Sequence, residues 1–481
     1  MTDTLTKSKL WLMPVAIVIL LVIAALTFQD GQLPSERVRL SVLLVSCASV
    51  TLLAPLMTAS FQRFDIFHPL HFVALSLFFG VFGRTFYILM SDSGKVAALL
   101  ESEPIHFLIP GAVLSMVGSV LLSAGYWMAG GLYPKLKLYN ALLENLHMKR
   151  LLFLAPLIFI GCALANYYFL KTTGFEYEGI DSISSKRRVV INEVESSLGY
   201  FRLIAQDVPR VMMFLLAAAV CSLRKPSWTL VLMTGAFGLL AVTLPFLSSS
   251  RGNVLLALIG LCVAIHKVRG LKLSTLAIAF SFSLVIIFGM LALRRVHSRN
   301  MSVADSISEM GLEPLFGNHS FADIVKLSSV YKGVPELIGY KYGSSFLTIL
   351  YAPIPRSIWP DKPAVAMGRE ITEKLYNKGL DLKDKGGGTP PGIFAESIIN
   401  FSVYGFPFAI FAMGLLLRFL HNILENLQLN SLAGVALYAG IIPSYCLNLL
   451  GGDFTRALTQ SLSTVLIVSL LAAVTRVKSI V

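Results

Sequence analysis

Charged residues are scarce in this chain of 481 amino acids. Asp, Glu, Lys and Arg together supply 14% of the sequence, whereas a soluble domain carries about a quarter. Apolar residues supply 55%, and the mean hydropathy is +0.73. This deficit of charge excludes a water-soluble enzyme, a nucleic-acid-binding domain and a disordered scaffold.

Motifs that bind metals are also missing. The chain has five cysteines but no C-x-x-C motif, so the sequence predicts neither disulfides nor a zinc site. It also has no Asp-x-Asp motif, the usual ligand pair for a diphosphate-bound magnesium ion. We therefore expect no metal and no other cofactor. All the cysteines fall inside apolar stretches: Cys47, Cys162, Cys221, Cys262 and Cys446.

Twelve continuous apolar stretches dominate the sequence instead. A helix needs ~20 mostly apolar residues to span a membrane, and most of the stretches approach or reach that length. They do not alternate in polarity, which excludes a spanning β-barrel, and the first is too long for a signal peptide. The sequence predicts an all-α polytopic integral membrane protein, with residues 1–481 as one transmembrane domain of about twelve helices. The predicted spans are residues 11–28, 39–59, 69–90, 106–129, 151–170, 208–223, 227–247, 253–268, 273–293, 400–420, 431–450 and 456–475.

Lys and Arg residues indicate the orientation of these spans. With the N-terminus inside, fifteen of them fall in cytoplasmic segments and five in the short outer loops. Because positive charge is retained on the cytoplasmic side, we expect both termini in the cytoplasm, and much of the formal net charge of +13 there too. Two long loops, 171–207 and 294–399, then face outward. A long loop without repeats is usually functional.

The predicted spans contain no Asp and no Glu. Ion- or proton-coupled transporters generally need a carboxylate at mid-membrane depth, so this absence disfavours transport and favours a site at the outer surface. In the larger loop, the apolar run 342–353 is too short to cross and is predicted to lie at the membrane interface. The proline-rich segment 353–363 is predicted to be stiff and extended.

The last part of the larger loop predicts a short apolar helix at residues 389–401. Thr389 is expected to cap this helix, with Pro390 at its first position. Glu396 is its only carboxylate. The helix leads directly into the tenth predicted span.

Three segments carry a family resemblance: SSSRG at 248–252, IPRSIWPDKP at 354–363 and GGTPPGIFAESIINFSVYG at 387–405. They resemble the Wzy family, the O-antigen and oligosaccharide repeat-unit polymerases of bacterial polysaccharide assembly. The family pattern has Ser-Arg-Gly at the start of a middle span, Pro-Arg…Trp-Pro-x-Lys-Pro after a large outer loop, and Gly-Thr-Pro…Glu…Asn-Phe-Gly opening a late helix. The match loosens at Ser402, where the family often has Gly. The number of spans and the position of the largest loop also agree.

This resemblance implies an inverting, metal-independent, membrane-embedded glycosyltransferase of the GT-C type. The implied donor and acceptor are oligosaccharides linked to undecaprenyl diphosphate, and polymerisation takes place at the outer face of the bacterial inner membrane. A hydroxyl of a new repeat unit attacks the anomeric carbon of the growing glycan, and the lipid diphosphate leaves. The implied partners are these lipid-linked oligosaccharides, the membrane lipids and a chain-length regulator, with no nucleic acid.

Glu396 is the best candidate for the base that takes the proton of the attacking hydroxyl. A positioned carboxylate base contributes ~10²–10⁴-fold to a rate. The alternative is a solvated glutamate on an exposed helix face, which is the ordinary environment of this residue type.

Cations are expected to replace a metal at the leaving diphosphate, because the planar fork of arginine suits phosphate oxygens. Each candidate also has an ordinary explanation, such as snorkelling to lipid headgroups for Arg294 and Arg295. The predicted diphosphate- or substrate-binding residues are Arg84, Arg251, Arg294, Arg295, Arg356 and Lys362.

Two other functions remain open on the sequence. An O-antigen ligase uses the same donor but transfers it to lipid A-core, and its pattern lacks the segment at 354–363. A lipid-linked-oligosaccharide flippase also has about twelve spans, but it tends to have short loops on both faces and a charged central cavity. We therefore favour the polymerase.

Overall fold

The described part of the chain is an all-helical membrane protein. The computed structural model describes residues 65–90, 108–131, 139, 143–144, 146–172, 203–247, 250–299, 302, 305, 321–352, 354, 358–359, 361–362, 367–376 and 388–476. These ranges contain no strand. They contain nine helical stretches that are long and apolar enough to cross a membrane.

We number the α-helices of the described ranges in chain order. Short π-helical segments, Phe78–Gly83 and Leu203–Asp207, precede α2 and α5 and continue into them. The α-helices are α1 Pro69–Leu77, α2 Arg84–Met90, α3 Leu108–Met128, α4 Met148–Thr172, α5 Val208–Ser222, α6 Trp228–Leu247, α7 Arg251–Arg269, α8 Leu273–Arg299, α9 Ile324–Gly333, α10 Ser344–Tyr351, α11 Gly368–Ile371, α12 Gly392–Asn430, α13 Leu432–Gly451 and α14 Phe454–Thr475.

Ten of the twelve predicted spans fall within the described ranges, apart from residues 106–107, and each overlaps a helix over most of its length. The predicted span 273–293 lies in α8, whose apolar stretch of Ser274–Met290 is shorter than that of the nine candidates. The predicted spans 11–28 and 39–59 lie outside the described residues. Twelve spans and a GT-C fold therefore stay predictions.

Helix α13 lies at the centre of the bundle. Its residues are buried from Ala433 to Gly451, and it packs against α1, α5, α7, α12 and α14. Small residues allow this close packing. A Cβ at Gly260 on α7 would lie 2.3 Å from the ring of Phe214 on α5, and a Cβ at Gly440 would lie 2.8 Å from Cγ2 of Thr464 on α14. Small residues at helix interfaces are the usual route to tight packing in membranes.

Helix α12 consists of two helical parts joined at a kink. Ser402 has φ 60° and ψ −178°, which is not helical. The first part, from Gly392, belongs to the predicted outer helix, and the second part crosses the bundle beside α3. The predicted continuity of the outer helix and the tenth span is therefore confirmed.

The predicted start of this helix is wrong. Thr389 does not cap it, because α12 begins at Gly392 and Pro391 occupies the N-cap position without a side-chain hydrogen bond. Gly392 has φ +75°, and a Cβ there would lie 2.2 Å from the carbonyl oxygen of Leu450. Its N–H donates to the carbonyl of Gly452 at 2.7 Å. Tertiary contact with the end of α13, rather than a side-chain cap, fixes where α12 starts.

Candidate functional site

The carboxylate of Glu396 is enclosed by protein. Glu396 is 1% exposed and lies in the second turn of α12. Its Oε1 accepts a hydrogen bond from Ser345 Oγ at 2.7 Å, and its Oε2 accepts one from the backbone N–H of Phe454 at 2.8 Å. The carboxylate thereby joins α10, α12 and α14. The alternative of a solvated glutamate on an exposed helix face is therefore wrong.

Asn400, one turn further along α12, fixes the direction of the Ser345 hydroxyl. Its Nδ2 donates to Ser345 Oγ at 2.7 Å, and its Oδ1 accepts from the N–H of Gly343 at 2.9 Å. Because Ser345 Oγ receives the hydrogen of Asn400, its own hydrogen is directed to Glu396. A neutral hydrogen-bond chain thus holds the carboxylate in one orientation.

The start of α14 supplies the other side of the site. Asp453 caps this helix by accepting from the N–H of Arg456 at 2.7 Å. Unpaired N–H groups at a helix start favour a negative charge, and the N–H of Phe454 meets Glu396. Burial raises the pKa of Asp453, although the hydrogen bond from Arg456 opposes the rise. Asp453 is also close enough to interact electrostatically with Glu396, so two acids share this helix terminus.

Two threonines lock α10 against α14 behind the carboxylate. The hydroxyls of Thr348 and Thr455 are hydrogen-bonded to each other. One hydroxyl donates to the other, and the hydrogen of the second goes to the carbonyl oxygen of Ser345, which lies 2.6 Å from the Thr348 hydroxyl oxygen and 3.1 Å from that of Thr455. Rigid support of this kind keeps a reactive group in place.

A lysine that the sequence did not single out lies near the start of α12. Lys326 on α9 is 0% exposed, and its Nζ donates to the carbonyl of Pro390 at 3.0 Å. Burial lowers the pKa of Lys326 to about 8, with Asp323 opposing the fall and Arg84 adding to it. Lys326 therefore contacts the segment that leads into Glu396, and Arg84 is close enough to interact electrostatically with Lys326.

The predicted cations are distributed over several elements. Arg84 is the first residue of α2 and is 9% exposed, and Arg251 is the half-buried first residue of α7. Lys362 donates from Nζ to the carbonyls of Ala352 and Ile354, at 3.2 and 2.8 Å, just beyond α10. That contact supports a structural role for Lys362.

Other predicted cations cannot be placed. Arg356 lies outside the described residues. Arg294 and Arg295 lie in α8, but the structure describes only their backbone. Within the described ranges Glu396 forms no ion pair. Of the described helices, α7 and α12 have no extensive contact with each other, whereas α13 packs against both. Arg251 and Glu396 therefore lie on helices that are not in extensive contact with each other.

Sequence reasoning identified Glu396 but missed the residues that hold it. Ser345 and Phe454 are separated from Glu396 by 51 and 58 positions, and no local pattern joins them. One signal was present: Gly451, Gly452 and Asp453 have the composition of a helix end followed by an N-cap.

The arrangement suits proton transfer. Each oxygen of Glu396 accepts one hydrogen bond in the described ranges, and a carboxylate oxygen has a second lone pair. One lone pair per oxygen therefore remains for a substrate hydroxyl.

The chain matches no family model, no curated protein and no solved structure, so the geometry and the sequence resemblance carry the functional argument.

Proposed function

We propose that this protein polymerises undecaprenyl-diphosphate-linked oligosaccharide repeat units into a bacterial surface polysaccharide. The observation that carries the proposal is the buried, doubly hydrogen-bonded carboxylate of Glu396. It lies in the longest of the three segments that carry the family resemblance, within a bundle of apolar helices. A buried acid held in one orientation is what a base at a lipid-facing site requires.

In the proposed reaction, Glu396 takes the proton of a hydroxyl at the non-reducing end of the acceptor. The hydroxyl oxygen forms a bond to the anomeric carbon of the growing glycan, on the face opposite the diphosphate. The bond from that carbon to the diphosphate oxygen breaks, and the oxygen keeps the electron pair. The configuration at the anomeric carbon inverts, and Glu396 is left protonated.

The departing diphosphate needs positive charge. We assign this role first to Lys326, which contacts the carbonyl of Pro390 just before α12, and to Arg84, which interacts electrostatically with Lys326. Arg251 and Arg356 are further candidates. Fixed cations in a site with little water stabilise a leaving group more than they would in bulk water. In this proposal the Glu396 end of the bundle faces the periplasm, and a chain-length regulator is an additional partner.

The test uses purified full-length protein and defined lipid-diphosphate repeat units. Wild-type protein is expected to produce a ladder of glycan lengths, and Glu396→Gln to slow it by about 100-fold or more, because a neutral amide does not accept the proton. Glu370→Gln is the matched control, since Glu370 is paired with Lys341 and Lys374 rather than enclosed near Glu396. A normal ladder from Glu396→Gln rejects Glu396 as the base.

Deletion of the gene separates the polymerase from the two alternatives. A polymerase deletion leaves surface glycan with single repeat units. Loss of even single units indicates a ligase or a flippase instead.

A further inference from the structure

A second polar network lies at the opposite end of α12 from Glu396. His421 follows Glu396 by 25 residues, which corresponds to roughly 37 Å of α-helix at 1.5 Å per residue. Its neighbours come from the turn before α1, from α3 and from α13, and most are buried. We call this network the histidine–tyrosine circuit; its members are Phe67, His68, Leu70, Tyr126, Arg418, His421 and Tyr438.

The hydrogen positions in the circuit can be worked out from one end. The carbonyl oxygen of Phe67 only accepts, so the hydroxyl of Tyr438 donates to it, at 3.3 Å. The oxygen of Tyr438 must then accept from Nε2–H of His421, also at 3.3 Å. His421 consequently carries a hydrogen on Nε2.

The hydrogen positions can also be worked out from the other end of the circuit, at Leu70 and His68. The backbone N–H of Leu70 only donates, so Nδ1 of His68 accepts, at 3.4 Å. The hydrogen of His68 is therefore on Nε2, which donates to the oxygen of Tyr126 at 3.0 Å. Arg418 also donates to this oxygen, at 3.1 Å. Since the oxygen of Tyr126 receives two hydrogens, its own hydrogen goes to Nδ1 of His421.

The hydrogen positions inferred from the two ends of the circuit are consistent at His421, with hydrogen on Nε2 and none on Nδ1. All hydrogen bonds run in one direction, from the N–H of Leu70 to the carbonyl of Phe67, so the circuit starts and ends in the same turn. Both histidines are neutral in this arrangement. A proton added to Nδ1 of either histidine places two donors face to face and breaks the circuit.

We propose that the histidine–tyrosine circuit is a proton-sensitive latch that joins α3, α12 and α13 while His68 and His421 are neutral and opens when either gains a proton. The proposal does not depend on the proposed function. Opening would loosen α12, the helix that also carries Glu396. The histidines do not form a metal site, because the described residues contain no group of three or more His, Cys, Asp or Glu that could hold a metal ion.

Some charged groups around the circuit favour protonation of its histidines, and others disfavour it. Arg418 and Lys267 on α7 both lower the pKa of His68. Glu425 favours a proton on His421, since its carboxylate lies 3.9 Å from Nε2 of that residue. Asp65 favours a proton on His68, but it is paired with Lys267. Within the described ranges, the remaining titratable groups that face the circuit are His71, His266 and Cys446.

The sign of the pH effect follows from His68, which is half-buried. Burial, helped by the charge of His71, lowers the pKa of His68 to about 3, whereas an unfolded histidine has a pKa of about 6.5. The stability from this group is therefore complete above about pH 6.5 and is lost as the pH falls below that value.

The first test measures the thermal unfolding midpoint of the full chain in detergent from pH 8 to pH 5. The wild-type midpoint is expected to fall below pH 6.5 by on the order of 2–4 °C per pH unit. His68→Asn keeps a cap for Leu70 but removes one titrating group, and should roughly halve that slope. Tyr126→Phe should lower the midpoint at pH 7.5 and also reduce the slope.

The matched control is Tyr445→Phe. Tyr445 lies on α13 like Tyr438 and is fully buried, but within the described ranges its hydroxyl has no hydrogen-bond partner. This variant should keep the wild-type midpoint and slope. If His68→Asn and Tyr126→Phe also keep the wild-type slope, the circuit is only structural and the latch is rejected.

The second test reads the protonation state of the histidines directly in the wild-type protein. Wild-type protein labelled with ¹⁵N-histidine is expected to show His68 and His421 neutral at pH 7, with hydrogen on Nε2, by nitrogen chemical shift. His68→Asn and His421→Gln assign the two signals. A protonated form, or hydrogen on Nδ1, at either residue overturns the circuit.

Discussion

Ser402 has a backbone conformation that is nearly restricted to glycine. Its φ of 60° and ψ of −178° lie in a region that costs a non-glycine residue about 1–3 kcal/mol. The strain is located at the kink of α12, two residues after Asn400, which orients the hydroxyl that holds Glu396. The family resemblance has Gly at this position, and the structure gives a physical reason for that preference.

Ser402→Gly is therefore expected to stabilise the protein by about 1 kcal/mol. Thermal unfolding of purified protein in detergent measures the gain. Ser402→Ala is the control, because it keeps the Cβ and loses only the contact from the N–H of Tyr404 to Ser402 Oγ, at 3.3 Å. An equal gain in both variants would show that the strain is not at the backbone.

Single residues also show how much of the candidate site can be predicted from the sequence. Glu396 was identified because it is the only acid in an apolar segment, which is a local property. Ser345, Phe454 and Lys326 were not, because their roles come from contacts between helices that lie far apart in the chain. The carbonyl contacts of Lys362, close by in sequence, also have no signal in a pattern of residue types.

At the scale of elements, the pair α3 and α12 depends on two glycines. A Cβ at Gly125 would lie 2.1 Å from the carbonyl oxygen of Phe411, and a Cβ at Gly414 would lie 2.2 Å from that of Leu122. The backbones are thus in direct contact, as in other small-residue interfaces of membrane helices. This interface leads towards the histidine–tyrosine circuit, whose Tyr126 follows Gly125.

Gly414→Val is expected to force α3 and α12 apart and to destabilise the protein by about 1–3 kcal/mol or more, since overpacking has a cost of that size. The measurements are the unfolding midpoint and the fraction of monodisperse protein after purification. Gly161→Val on α4 is the matched control, because a Cβ there meets nothing within 4 Å. Equal losses in both variants would contradict the close contact.

Elements were predicted from the sequence better than their ends. Continuous apolar runs locate helices reliably, because a membrane requires every backbone group to be paired within its own segment. The start of α12 was misplaced at Thr389, since Gly392 is held by the carbonyls of Leu450 and Gly452. A contact of that kind depends on the position of α13, which the local sequence does not encode.

At the scale of the whole molecule, two buried polar networks occupy opposite ends of one apolar bundle. The connection between α9 and α10 lies at the Glu396 end, because Gly343 is bonded to Asn400. The connection between α5 and α6 lies at the other end, because Arg269 at the end of α7 donates to Cys221 and Leu223. The bundle thus has two chemically distinct ends, and its orientation decides which compartment each end meets.

The charge asymmetry of the sequence predicts that the Glu396 end faces outward. Tyr342, 82% exposed between α9 and α10, and Lys225, exposed between α5 and α6, mark the two ends. Tyr342→Cys should react with a membrane-impermeant maleimide in intact cells, and Lys225→Cys only after lysis, with the unsubstituted chain as background. The opposite pattern would place Glu396 in the cytoplasm, where the proposed polymerisation does not occur, and would expose the histidine–tyrosine circuit to the pH of the outer compartment instead.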